Sequence, residues 1–555
     1  VDQPAAGLAD RWFEVSKVWY FHNMNYDVII IGAGHNGLVA SFYLARAGLR
    51  VLVLEARPIL GGCCVTEELI PGFRFSTCAN LVWALRPEII RDMALERRGL
   101  IVDARTFLRL LPDGRYLYSG RYLATTAAGE GMAAVQKEIA KFSAADAAAL
   151  PRWQEFVGRL VRIFGPCLMK QPPRLHELYA ACADDEDRKA LDAILTKSVA
   201  ALADEYFEGD LMRDIGVAAD IGDIHELGTG LLLALASAMG SYTSTGSPVP
   251  NGYVRGGMGR ISDTMVEAAM EQGVEFRTNT PVKRIVVENG VSTGVELHSG
   301  EKIGARFVVS NVDPKQTFLK LMTPQDLDAK FLGRVRGLKT QAAAGLKMHC
   351  ALSEMLDYKV APGLTAVQLR ETTLLISPNR AYREAAWRAA EQGDLPEKPI
   401  IAGFIPSVYD PSLAPPGKFT FSMYLTWAPV KPRRGSWAEL KDEMAENVIR
   451  VMEQHTTNFR RALSDYVLFT PNELETRNYL TDGNIHHLDA TPDQILWQRP
   501  LAEIANYRGP VSGMYLCGSG SHPWGEVCGA PGYNAAQVIL QDWKRNEFTP
   551  EPVAD

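Results

Sequence analysis

Residues 27–62 read DVIIIGAGHNGLVASFYLARAGLRVLVLEARPILGG, and this stretch decides the fold. Val28 to Ile31 form a short β-branched run, as a parallel strand buried on both faces requires. Gly32, Gly34 and Gly37 follow as G-x-G-x-x-G. In that pattern the first glycine permits the tight turn, the second lets a pyrophosphate approach the backbone, and the third allows close helix–strand packing. A helix is predicted over 38–47, its N-terminal amides facing the phosphates, with Gly48 ending it. VLVLE at 51–55 is the second strand, and Glu55 at its end is suited to accept both hydroxyls of an adenosine ribose. The glycine pattern alone is a weak signal. Between a strand and a helix, with an acid 18 residues after Gly37, it predicts a bound dinucleotide.

The chain of 555 residues is long enough for two or three domains and a large core. A hydrophobic share of 47% with 22% charged residues fits a soluble globular protein. A net charge of −7 without a basic block argues against nucleic acid as a partner. The eight cysteines include no CxxC pair, so neither a redox dithiol motif nor a zinc knuckle is indicated, and no metal site is expected. Reduced thiols point to a cytoplasmic protein. The longest apolar stretch, 231–239 (LLLALASAM), is about half of the ~20 residues a membrane span needs. It reads as a buried core helix, with a greasy tunnel wall touching a membrane surface as the sharper alternative. Residues 1–23 precede Met24 and lack the apolar core of a signal peptide; they read as an N-terminal extension. Trp12, Val15 and Trp19 lie there at helical spacing, which would suit an interfacial or intersubunit helix.

Three separated stretches look like parts of one nucleotide-binding domain: 24–105, 253–314 and 511–545. The second contains a Gly-rich turn, an amphipathic helix (Ile261, Met265, Ala268, Ala269), hairpin turns at 288–290 and 299–300, and the buried strand FVVSN. In the third, MYLCG is a strand leading to a Gly-rich turn and a helix from Ala530. The intervening 106–252 and 315–510 are left for a substrate-binding region. It is Ala-rich and helical over 130–205, with strand-like runs such as FTFSMYLTW that suggest a sheet flooring a cavity.

The acid of the second strand is followed by ARPIL and the pair Gly61-Gly62, a spacing that resembles the glutathione-reductase-like group of FAD proteins. More narrowly, GAGHNGLVA at 32–40, GGCCVTEELIPGFRFS at 61–76, LRPEI at 85–89 and GNIHHLDATPDQILWQRP at 483–500 carry a likeness to the phytoene-desaturase-like branch of FAD-dependent oxidoreductases. Within that branch the chain is most similar to the pyridine nucleotide-disulfide oxidoreductase domain-containing subgroup and its mitochondrial and bacterial relatives. The resemblance implies an α/β fold: a Rossmann-type FAD-binding domain with an inserted α+β substrate domain. It implies FAD held by Gly32, Gly34, His35, Asn36, Gly37, Glu55, Ala56, Arg57, Gly61 and Gly62. Val282 would meet the adenine end through its backbone. Gly518 and the turn of Gly529, Ala530, Pro531, Gly532 and Asn534 would lie by the pyrophosphate and isoalloxazine. The expected function is dehydrogenation of a hydrophobic or amphipathic small molecule, with hydride passing to flavin N5. A flavin-dependent reductase or isomerase, and a binding or assembly role at the respiratory membrane, stand as alternatives. Peripheral membrane contact and a homo-oligomer stay open.

Four residues are candidates for catalysis. His522, in SGSHPWGEV, is suited to accept a proton near neutral pH, against the blander reading of a loop histidine holding backbone carbonyls. Glu526 is a candidate base or a site for a cationic amine, and Trp524 a candidate for stacking on substrate or flavin. Relatives often have small residues at both positions. His487, beside His486, lies in a segment that approaches the cavity in relatives. Cys63 and Cys64 replace the small residues usual after the glycine pair.

Overall fold

The strand β1 (Tyr26–Ile31) is buried on both faces because it lies at the centre of a seven-stranded sheet. Val28 and Ile30 join the core beneath helix α1 (His35–Arg46), while Ile29 and Ile31 join the core on the opposite face. The two-residue period of a strand thus feeds two separate cores. The computed structural model describes residues 26–119, 130–217, 221–341 and 345–547. The aromatic pattern of the N-terminal extension lies outside them.

Beyond α1, the chain adds β2 (Val51–Leu54), parallel to β1. After a long excursion it returns with helix α2 (Gly259–Glu271), β3 (Glu275–Arg277), β4 (Val282–Glu288), β5 (Val291–Leu297) and β6 (Lys302–Ser310). The sheet order is β4-β5-β6-β1-β2-β3. β6 has two neighbours on the same side. Its first half, at Lys302 to Gly304, pairs antiparallel with β5; its last residues, Val308 to Ser310, pair parallel with the strand Met514–Leu516. A hairpin meander and a parallel nucleotide-binding sheet therefore share one strand. The helix Ala530–Glu547 packs beside α1 and α2 over the same face. The sheet is built from the three separated stretches singled out in the sequence. β3 is short, ending at Arg277 before the turn at Pro281.

A second seven-stranded sheet has the order Leu463–Phe469, Leu346–Leu352, Phe419–Thr426, Ile400–Phe404, Thr373–Ile376, Phe107–Leu110, Tyr116–Ser119. The strand Leu346–Leu352 is buried at all seven positions. Leu346, Met348, Cys350 and Leu352 pack beneath the helix Trp437–His455, while Lys347, His349 and Ala351 alternate with them. His349 ties this sheet to the small hairpin of Thr66–Ile70 and Phe73–Ser76: its Nε2 lies 3.2 Å from the carbonyl of Thr77, just after the hairpin, and its Nδ1 3.2 Å from the Ser422 hydroxyl. Burial holds this imidazole neutral.

The remaining layer is helical. Ser143, Asp184 and Ser198 cap helices Ala144–Phe164, Asp185–Thr196 and Val199–Tyr206 by accepting backbone amides, as short polar side chains at N-caps do. They surround Gly230–Ser241, which holds the apolar run 231–239. That helix is a core element, with Leu232, Ala234 and Leu235 1% exposed or less. Leu233, Ala236 and Ser237 also line a cavity. Among the described residues, no helix is long and apolar enough to cross a membrane.

Candidate functional site

The turn from β1 into α1 brings backbone against backbone. A Cβ on Gly37 would lie 2.5 Å from the Gly32 carbonyl oxygen, so only glycine lets α1 start this close to β1. Gly62 sits at φ 59° with its Cα face against Gly34, where a Cβ would approach the Gly34 Cα to 2.9 Å. Glu55 is buried and fixed from two sides: Ala33 N–H donates to Oε2 and Arg57 N–H to Oε1, each at 2.9 Å. Each carboxylate oxygen can accept a second hydrogen bond.

From this turn a cavity of about 790 Å³ runs to the second sheet, within the range typical of ligand sites. Gly32, Gly34, His35, Asn36, Glu55, Ala56, Arg57, Gly62 and Val282 all line it. So do His487 and Glu526 from the candidate catalytic set. At the far end its wall is Leu375, Ile400, Ala402 and Thr426 of the second sheet.

The other expected residues stand one layer back. A Cβ on Gly532 would meet the Asn36 carbonyl oxygen at 2.1 Å, one on Gly518 the Asn311 carbonyl oxygen at 2.6 Å, and one on Gly61 the Cys64 carbonyl oxygen at 2.8 Å. Gly529 meets the Ile89 side chain in the same way, at 2.6 Å. These glycines let backbone segments pack behind the cavity wall. Asn534 donates to the Leu168 carbonyl and to the Tyr507 hydroxyl, and with Ala530 and Pro531 belongs to the helix behind. From this turn region, Ser519, Glu526 and Val527 reach the cavity instead.

His522 is a correction. Its ring is buried against the Cys167 carbonyl, 3.0 Å from Nε2, and does not line the cavity. Burial pushes its pKa down to about 4, so the ring is neutral, donates its one N–H to that carbonyl and takes up no second proton near neutral pH. Trp524 is a second correction. It packs in the helical core with its ring edge-on to His486 at 5.9 Å, a loop-packing role rather than a stacking surface.

Glu526 is the polar centre of the C-terminal loop. Its Oε2 accepts from the Trp83 indole at 2.9 Å, and Oε1 lies 3.1 Å from His486 Nε2. Burial raises the carboxyl pKa, but His486, Trp83 and Arg105 together outweigh burial and hold it below the usual range. Glu526 and His487 both occupy the left-handed region, at φ 71° and 67°. Such backbone costs about 1–3 kcal/mol per residue and gathers at functional sites. Burial drives His487 down to about 3 and His35 to about 4, so both rings are neutral.

Sequence reasoning passed over several residues. Arg499, wholly buried, donates from Nη2 to the carbonyls of His486 and Ser519, both at 2.8 Å, and from Nη1 to that of Gln494 at 3.1 Å. It binds the His486–His487 loop to the turn after Met514–Leu516. Asn311 lines the cavity and donates to the Gly32 carbonyl at 3.2 Å. Lys347 is wholly buried, its ammonium has no hydrogen-bond partner among the described residues, and burial brings its pKa down to about 7. Cys78, which lines the cavity, is the group it senses. The two adjacent cysteines diverge: Cys63 lines the cavity and accepts from Asn478 Nδ2 at 3.5 Å, whereas the Cys64 thiol donates to the Met258 carbonyl. Among the described residues no cluster of three or more metal-ligating side chains occurs.

The sequence profile of the flavin containing amine oxidoreductases matches residues 37–540. Pyridine nucleotide-disulfide oxidoreductase domain-containing protein 2 of Mus musculus is 36% identical, over 94% of this chain and 94% of that protein. A limonene dehydrogenase polypeptide of Castellaniella defragrans is 27% identical, over 95% and 96%. Among solved structures, cyclohexylamine oxidase from Brevibacterium oxydans superposes with a TM-score of 0.56 at 16% identity, covering 94% of this chain and all of that one.

Proposed function

The chain belongs to the flavin containing amine oxidoreductases, in their phytoene-desaturase-like branch, and is an FAD-dependent oxidoreductase; from that premise we propose that it dehydrogenates a hydrophobic or amphipathic small molecule. The observation that carries this reading is the continuity of the cavity. One space begins at the Glu55 carboxylate and the glycine turn and ends against aliphatic residues of the second sheet. The residues present suit FAD. Glu55 has acceptor capacity left for ribose hydroxyls. Gly34 and Gly62 keep side chains out of the pyrophosphate path, and the start of α1 supplies amides toward it. Arg57, held to Glu67 at 3.0 Å, and the Val282 backbone border the adenine end.

When bound, FAD supplies the acceptor for a hydride, at its N5. The chain's residues do the rest. The second sheet and Trp83 shape an apolar chamber that excludes water around the substrate carbon. His35 and His487 remain neutral, serving as hydrogen-bonding walls. The Glu526–His486 pair orients the loop carrying His487. The limonene dehydrogenase relative, whose name gives an apolar hydrocarbon, fits the same substrate class.

The test is the absorbance spectrum of the purified protein, followed by anaerobic mixing with terpene, polyene and fatty-acyl compounds. Flavin bands that bleach with one of these establish the dehydrogenase reading. Bands that resist all of them but bleach with a reductant and recover with an unsaturated compound would replace it with the reductase reading.

A further inference from the structure

Beside the main cavity lies a second of about 210 Å³, and the two share Trp83, Arg105 and Val217. The smaller one is walled by aromatic and aliphatic side chains of three helices, Trp153, Val157, Phe207, Met212 and Leu233 among them. It continues the substrate end of the large cavity, on the side away from the glycine turn.

The charged residue at the junction is Arg105. The other cations of the main cavity have carboxylate partners. Arg57 pairs with Glu67 at 3.0 Å, Lys283 with Glu296 at 2.8 Å and Lys320 with Glu475 at 3.9 Å. Arg109 and Arg383 both pair with Asp214. Arg105 differs: no carboxylate lies within ion-pair distance of its guanidinium among the described residues. Its Nε is buried without a hydrogen-bond partner, and the guanidinium is held over the Phe107 ring at 4.3 Å. Asn251, on the wall of the smaller cavity, likewise has a buried amide oxygen without a partner. Turned over, as the near-symmetric shape of an amide permits, that group would present a donor to the same space. Glu526, the nearest acid to act on Arg105 through the field, is already engaged by Trp83 and His486.

A half-buried guanidinium on a cavity wall, its Nε enclosed and without a counter-ion, is favourably placed to take one from a ligand. We propose that Arg105 is the anchor for an anionic group, a carboxylate in the first instance, on an amphipathic substrate whose apolar part occupies the smaller cavity. The planar fork of the guanidinium suits a bidentate carboxylate, and an ammonium at this place would be repelled. Burial lowers the Arg105 pKa to about 10, which leaves it charged at neutral pH. This proposal rests on the dehydrogenase reading only in calling the ligand a substrate; the anion site stands on Arg105 and the two cavities.

The experiment is calorimetric titration of the purified protein, with its flavin content measured separately, using decanoate, 1-decanol and decylamine as probes. In the unmodified protein decanoate is expected to bind about tenfold or more tighter than decanol, and decylamine weakest. Arg105→Gln should weaken decanoate about tenfold or more while leaving decanol within about twofold, and Arg105→Lys should fall between. Decanol binding and retained flavin report that each variant is folded. Decanol or decylamine equal to decanoate in the unmodified protein, no decanoate binding, or unchanged decanoate affinity in Arg105→Gln would each overturn the anchor. Arg105-dependent decanoate binding in a protein without flavin would uphold the anchor while removing the dehydrogenase reading. Flavin that bleaches with a neutral hydrocarbon, with no preference for decanoate, would do the reverse.

Discussion

The Glu526 carboxylate accepts the indole N–H of Trp83 at 2.9 Å, across 443 residues of sequence. Trp83 belongs to the wall shared by both cavities, and Glu526 to the loop after Met514–Leu516, so this bond ties that wall to the C-terminal loop.

Glu526→Gln retains an acceptor for Trp83 but loses the charge facing His486. Turnover should fall by roughly 10- to 100-fold, at the lower side of what a positioned acid–base group contributes, with flavin occupancy unchanged. Steady-state kinetics beside the flavin-to-protein absorbance ratio checks this, and wild-type kinetics would retire a role for the carboxylate.

Lys347 gives a pH dependence with a definite sign. Its folded pKa of about 7 lies below the unfolded value of about 10.4. Between these pH values the unfolded chain binds the extra proton, so the stability contribution of Lys347 rises with pH through that window. Lys347→Met should therefore be more stable than the parent at pH 6, and the gap should narrow toward pH 10. Denaturant midpoints at a series of pH values measure this effect.

Glu55→Ala should weaken flavin retention by roughly 1–3 kcal/mol, the range for losing a charge-assisted partner. The same change strands the Ala33 and Arg57 amides, so the turn itself loosens. Reconstitution of the apoprotein with FAD, followed by fluorescence, gives the affinity; unchanged occupancy would contradict the placement of the ribose.

Arg499→Met removes the donors to the His486, Gln494 and Ser519 carbonyls inside the protein. Each stranded buried acceptor costs about 1–3 kcal/mol, so a loss of about 3 kcal/mol or more is expected. The melting temperature should drop, and His487 should lose its fixed position on the cavity wall.

The nucleotide-binding half was legible because its rules are local. The glycines of the β1–α1 turn, the acid ending β2 and the FVVSN strand have fixed spacings, and the structure puts all three at one sheet. The second half was not legible in the same way. In Leu346–Leu352 the alternation LKMHCAL reads as a strand with one wet face, yet that face is buried against the hairpin of Thr66–Ile70 and Phe73–Ser76. Nothing near Lys347 in sequence signals the Thr77 segment that His349 meets. His522 and Trp524 drew attention through adjacency to a Gly-rich turn, but adjacency along a tight turn does not fix the side a residue faces: Glu526 and Val527 reach the cavity, whereas Trp524 and Cys528 face the helical core. Arg105 carries no motif at all, and its interest comes from what fails to surround it.

The shared edge of β6 sets a timetable for the chain's own synthesis. Val308 to Ser310 leave the ribosome some two hundred residues before Met514 to Leu516, the strand that must lie beside them. During that interval the half-built parallel sheet presents open backbone hydrogen-bonding groups, a surface prone to pairing with other chains. Distant pairing of this kind also folds slowly. The growing polypeptide therefore has a long window of dependence on chaperones, and the nucleotide pocket closes only when the last strand and the helix after it arrive.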